Sequence, residues 1–223
     1  MINLNIDKFD DWPSPTITKR LIYLGFIVLM VNYPIIIILT LISNYPATFM
    51  ESQLSFSGAV IKSHFLEMNA EQILYYVFYQ ISDDIYDFCH LCIFIGLSLF
   101  LARKFDEDSR WRKMGYWMAI VGIIGTISDL TENSLIIMMT TDPQGFPDVW
   151  AIAHSWLAVV KYIMWAIQAV WIIWADVKLY KNKEFTIKPF LAVIGVVFAQ
   201  HWTSVVFGLL YLFGVDLVAI VHG

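Results

Sequence analysis

The stretch 115–139 reads GYWMAIVGIIGTISDLTENSLIIMM, an apolar run broken only by the cluster Asp129, Glu132 and Asn133. A charge at the centre of a membrane helix costs about 2.5–3.5 kcal/mol, so acidic residues in such a run need partners or a task. Comparable runs lie on either side: 21–43 without a charge, 88–102, 150–175 interrupted by Lys161, and 189–213. Each can cross a hydrocarbon core of about 30 Å, which takes about 20 helical residues. With 59% hydrophobic and 15% charged residues in 223, the composition is that of a polytopic membrane protein.

The expected fold is all-α integral membrane, a five-transmembrane-helix bundle over 21–223 behind a tail 1–20. Its spans lie near 21–43, 84–102, 115–139, 150–175 and 189–213, in the cell membrane. The first run follows Lys19 and Arg20 and precedes Ser43, Asn44, Tyr45 and Pro46 without a small-x-small cleavage signal, which reads as an uncleaved signal anchor. The tail 1–20, the segment 103–114 and the segment 176–188 hold 12 of the 14 Lys and Arg. Lys62 alone lies in an alternate loop, and Lys161 is intramembrane. That bias predicts an N-terminus in the cytoplasm and a C-terminus outside. A net charge of −5, with no basic aromatic patch, excludes nucleic acid as a partner and leaves the lipid bilayer.

The one long loop, 44–82, is expected outside and carries an amphipathic helical pattern. Ile61, Phe65 and Met68 recur at helical spacing, and Asn69 with Gln72 has the form of a capping box that opens a helix through Ile73, Leu74 and Val77. A helix from there to Lys104 would be about 52 Å long, so it must project, tilt or break near Ser82. The other connections are short and imply antiparallel neighbours. There is no internal repeat, which argues against an inverted-repeat transporter built from one chain.

Counted from the basic end of each span, Asp87, Asp129, Glu132, Lys161 and His201 lie about 20–26 Å deep at 1.5 Å per residue. Asp84 and, on the first span, Asn32 fall near the same level. Gly122, Gly125, Thr126, Asp129, Glu132 and Asn133 lie within about 120° of one another on a helix, a face suited to meeting other helices rather than lipid. His154, Lys161 and Gln168 are spaced by sevens and form one stripe. On the last span His201, Ser204, Gly208 and Tyr211 share a side. Three carboxylates, Asp87, Asp129 and Glu132, then face one certain cation, Lys161. They cannot all be ionised in a dry site, so protons, water or a bound cation must make up the difference. The plainer alternative is a Lys161–Asp129 pair that ties the bundle together, with Glu132 and Asn133 bonded to neighbouring helices.

Three motifs are weaker. Asp83, Asp84 and Asp87 match the DDxxD pattern with which isoprenyl-diphosphate enzymes hold magnesium, but no second acidic motif has the spacing such enzymes use, and acidic residues at a helix start also suit its dipole. Cys89 and Cys92 form a CxxC directed away from Asp87, better read as small hydrophobes than as a redox pair. No metal is predicted. Asp84, Asp87 and His90 share a side and are the only ligand set worth naming, and their spacing is not diagnostic. Trp150, Trp171 and Trp174 fit an interfacial belt. No cofactor can be named.

The segment Asp129, Leu130, Thr131, Glu132, Asn133, followed one helix later by Lys161, resembles uncharacterised prokaryotic multi-span membrane proteins. Those have an acidic residue opening the second span, a D-L-x-E-N segment in the third and a lysine in the fourth. The likeness covers 58–174, and His154 and His201 lie outside its pattern. It implies a multi-span fold with a polar layer and carries no activity.

Two functional classes follow, with a structural role as the third possibility. The first is a polar site, open to the outer face, that handles protons or a small cation. There Asp129 and Glu132 bind the ion, Lys161 tunes them, Asp84 and Asp87 line the entrance, and a homo-oligomer supplies a pore that five helices are too few to build. The second is an intramembrane enzyme acting on a lipid or isoprenoid, with the carboxylates as acid and base or as metal ligands. A deep apolar tunnel leading from the layer into lipid would favour the enzyme.

Overall fold

A computed structural model describes residues 6–181, and all regular structure among them is helical. The expected fifth span, 189–213, and with it His201, lies outside the described residues. A short 3-10 turn, Ile6–Asp10, precedes α1 (Pro15–Ser43), α2 (Phe49–Gln53), α3 (Gly58–Leu66), α4 (Ala70–Ala102), α5 (Arg110–Thr141) and α6 (Asp148–Lys181). Of these, α1, α4, α5 and α6 are long and apolar enough to cross a membrane.

Local chemistry sets the helix ends. Ser14 caps α1 by accepting from the Ile17 amide, with Pro15 in the first turn where a missing N–H costs nothing. The chain leaves α1 through Asn44 in the left-handed region, φ 44°, a conformation asparagine tolerates better than most residues. Asn69 and Gln72 form the expected capping box, each side chain accepting the other's amide at 2.9 Å. From that cap α4 runs 33 residues without a break, about 50 Å, straight through Ser82. Ser109 caps α5, and α6 opens on Asp148 directly after Pro147.

The four long helices pack in the order α1, α4, α5, α6, with α4 the most enclosed and α1 the most exposed. Glycine makes the close approaches possible. A Cβ on Gly25 would stand 2.9 Å from the Cys89 carbonyl and 3.0 Å from Cys92 Cβ, so α1 rides on the CxxC turn of α4. Both thiols are buried, unbonded and packed in that seam. On the other side Gly115, Gly122 and Gly125 of α5 accept Trp171, Gln168 and Trp165 of α6. Trp171 therefore belongs to the core rather than to an interfacial belt, while Trp174 packs tilted against Trp111 with ring centroids 4.2 Å apart.

At the end opposite Arg103, α2 and α3 fold back over the bundle. Ile61, Phe65 and Met68, the residues with helical spacing, bury against Tyr76, Ile136, Met139, Phe146 and Ala151. The α2–α3 link passes through Phe56 at φ 50°, a strained setting for a bulky residue, and its amide is held by Ser155 Oγ at 3.0 Å.

Candidate functional site

The face of α5 that groups Gly122, Gly125, Thr126, Asp129, Glu132 and Asn133 is buried throughout. Because its glycines let α6 come close, the side chains one turn further on meet a short gap. Lys161, 2% exposed, spans that gap. Its Nζ lies 2.6 Å from Asp129 Oδ1 and 2.7 Å from Glu132 Oε2, so residues three apart on one helix grip a single ammonium. The stripe spaced by sevens on α6 follows it: His154 Nε2 stands 3.4 Å from Glu132 Oε1, and Gln168 Nε2 donates to Ser98 Oγ of α4 at 3.2 Å.

The remaining acids come from α4. Asn133 Nδ2 donates to Asp84 Oδ1 at 3.1 Å and to Asp83 Oδ2 at 3.3 Å, and both aspartates are partly exposed. Asp87 is different. It is 0% exposed, the carboxylate it faces in hydrogen-bonding reach is Asp129, and among the described residues neither of its oxygens has a donor. It does not line an entrance. Asp83 was absent from the expected site, although it sits four residues before Asp87, about 40° away on the helix, and that offset is a legible signal. Asn32 serves the seam instead of the layer: its Nδ2 donates to the Ser82 carbonyl at 2.7 Å and its Oδ1 accepts from Ser82 Oγ at 2.8 Å.

Among the described residues no three of His, Cys, Asp and Glu are arranged to hold a metal ion. His90, the histidine of the possible ligand set, packs edge-on against Phe94 and Trp165, with ring centroids 4.1 and 4.4 Å away. The DDxxD residues do not converge on an open point either, since two are bound to Asn133 and the third is turned to Asp129. An apolar groove of about 530 Å³ does exist between α5 and α6, but Trp111, Met118, Ile167 and Trp174 line it and no residue of the layer does.

Between the layer and the Pro147 end, α2 and α3 pack across the bundle. Met50 and Leu54 pack on Ala158, and the Tyr162 hydroxyl donates to Gln53. Lys62 pairs with Asp148 at 3.0 Å, anchoring α3 to the start of α6. Tyr45 stacks on Tyr76 at 4.6 Å and bridges Ser52 and His64 at 2.9 and 3.1 Å. Burial raises the Tyr45 phenol to about 12 and lowers His64 from its ordinary 6.5, so both of these groups are neutral near pH 7. Apolar packing and uncharged hydrogen bonds join Lys62, which pairs with Asp148 and sits 4.8 Å from the centroid of the Phe146 ring, in holding this α2–α3 cover.

No family model, characterised protein or solved structure matches this chain, so its likeness to multi-span proteins with a D-L-x-E-N segment rests on those residues alone.

Proposed function

We propose that this multi-pass membrane protein passes protons or a small cation through the layer around Lys161, in the cell membrane and as a homo-oligomer. One observation carries the reading: among the described residues five carboxylates, Asp83, Asp84, Asp87, Asp129 and Glu132, share the layer with one lysine. A layer built only to tie helices together needs matched pairs, because each unmatched buried charge costs several kcal/mol. Surplus acid is what a site needs if positive charge is to enter and leave. In this reading Asp129 and Glu132 hold the resident ammonium, and Asp83, Asp84 and Asp87 are the acids left for the mobile charge. The α2–α3 cover closes the outward path and must loosen during the cycle.

Reconstitution into liposomes with an internal pH dye tests this, under imposed proton, sodium or potassium gradients. Wild-type protein is expected to dissipate at least one gradient. The double variant Lys161→Met with Asp129→Asn, which leaves one carboxylate, Glu132, without its ammonium instead of two, is expected to fold and be inactive. Equal flux from wild type and double variant would remove the layer from the mechanism.

A further inference from the structure

Resting on the ion-handling reading, the geometry around Asp87 narrows the cargo. A carboxylate has only acceptors, and so has the carboxylate it faces. Asp87 is fully buried, points at Asp129, and has no N–H or O–H donor on either oxygen among the described residues. Helix packing brings the two acceptor-only groups within hydrogen-bonding reach, and a hydrogen between them is what turns their contact from repulsive to bonding. We infer that Asp87 and Asp129 form a carboxyl–carboxylate pair that binds one exchangeable proton, so that the charge handled by the layer is a proton.

The surroundings fit this assignment. The charged groups that act most on Asp87 are Asp129 on α5, Asp83 one turn back on α4 and Lys161 on α6, and the titratable His90 lies one turn on along α4. Packed on the outer side of α4, α1 adds no charge, since it has no acidic or basic residue beyond Arg20. Lys161 compensates Asp129 and Glu132 at 2.6 and 2.7 Å, so among the described residues no positive group is left over for Asp87. The place between Asp129 and Glu132, where a metal cation would be held, is filled by the ammonium itself. A proton needs no such cavity. It can leave Asp87 for water when the cover opens and be replaced from either side, with the Asp129 carboxylate accepting the hydrogen bond before and after. Sharing one proton between two close carboxylates is how such pairs avoid a double negative charge.

Infrared spectroscopy of the protein in liposomes reads the proton directly, through the carbonyl stretch of a protonated carboxyl group and its shift in deuterium oxide. At neutral pH the wild type is expected to show this band. Asp87→Asn should abolish the Asp87 component. Asp129→Asn should abolish it as well, because a carboxamide donates to Asp87 and removes the need for a shared proton. Loss in Asp87→Asn alone would make Asp87 a solitary buried acid and overturn the pair. Survival in Asp87→Asn, or no exchangeable band in the wild type, would overturn the assignment outright. Carbonyl-¹³C aspartate labelling of the wild type guards against variants that do not fold: the band must move if it belongs to aspartate, and a stationary band assigns it to Glu132 and sinks the inference. Flux measured on the same liposomes separates the two readings. The aspartate band without flux leaves the pair standing and defeats ion handling, whereas flux without the band does the reverse.

Discussion

At the Arg103 end of the bundle the two arginines Arg103 and Arg112 are met by acceptors in excess, whereas around Lys161 carboxylates outnumber the cation. Arg103 donates to the Phe9 and Pro13 carbonyls at 2.6 Å each and to Thr18 Oγ1 at 2.9 Å. Next to it Arg112 reaches Asp10 Oδ1 at 2.6 and 2.7 Å, and the Tyr116 hydroxyl donates to the same oxygen. The difference lies in where free backbone is found. A segment flanking a helix, such as 9–13, has carbonyls to spare, and the chain folds it onto the arginine. In mid-bundle the backbone N–H groups are already donated within their own helices, so a buried acid can be satisfied only by another side chain, a proton or a mobile ion.

The largest effect separating the two clusters should come from Lys161→Met. It strands two buried carboxylates and is expected to cost about 3–5 kcal/mol in unfolding measurements in detergent or nanodiscs. Adding Asp129→Asn should recover much of the loss, as a double-mutant cycle would show. A Lys161→Met variant as stable as wild type would mean that the layer is not held by the ion pair, and the contrast would collapse.

A smaller effect is expected at the other cluster. Arg103→Ala removes charge-assisted bonds to backbone, each worth about 1.5–3 kcal/mol, but the abandoned carbonyls of 9–13 can turn to water. Its cost should therefore fall below that of Lys161→Met and appear mainly as faster proteolysis or hydrogen exchange of 6–14. A loss equal to that of Lys161→Met would show that the Arg103 end is as dry as the layer.

The smallest effect is a pH dependence. Burial pushes the Asp10 carboxyl up, but the Tyr116 hydroxyl and the Arg112 guanidinium outweigh it and hold Asp10 below its ordinary 3.8. With the folded value depressed, its stabilisation is present above about pH 4 and is lost as the pH falls through the lower folded value. Asp10→Asn should remove that part of the acid sensitivity while leaving stability at neutral pH nearly unchanged, because Asp10 is over a third exposed and screened. Thermal melts of both proteins from pH 6 to about 3 would show it, and parallel curves would deny the coupling.

Much of the site is legible in the chain itself. Depth counting puts Asp129, Glu132, Lys161 and Asp87 in one layer and helical angles put His154 on the Lys161 stripe, because a helix converts residue number into height and azimuth by simple rules. The same rules point to the glycine face of α5 and to the Asn69 capping box. Asp83 belongs with the layer by the same reasoning, since its offset of four from Asp87 marks it. What cannot be counted is which acid meets which partner: that Asn133 takes Asp83 and Asp84, that Asn32 turns to Ser82, and that His90 sits among aromatic rings. Those choices depend on rotamers and on neighbours far apart in the chain.

By itself, then, the sequence determined that this is a helical chain with apolar runs of membrane length, and that acids and one lysine share a level within them. Periodicity and composition are local properties, and a backbone with saturated hydrogen bonds leaves the chain few ways to express them. Tertiary structure alone decided that α4 runs unbroken through Ser82, that α2 and α3 close over the layer, and that Asp87 faces Asp129 with no donor. Each of these depends on contacts between segments distant in the sequence: the glycine-lined approaches of α1 to α4 and of α5 to α6, and the apolar packing of α2 and α3 on the bundle.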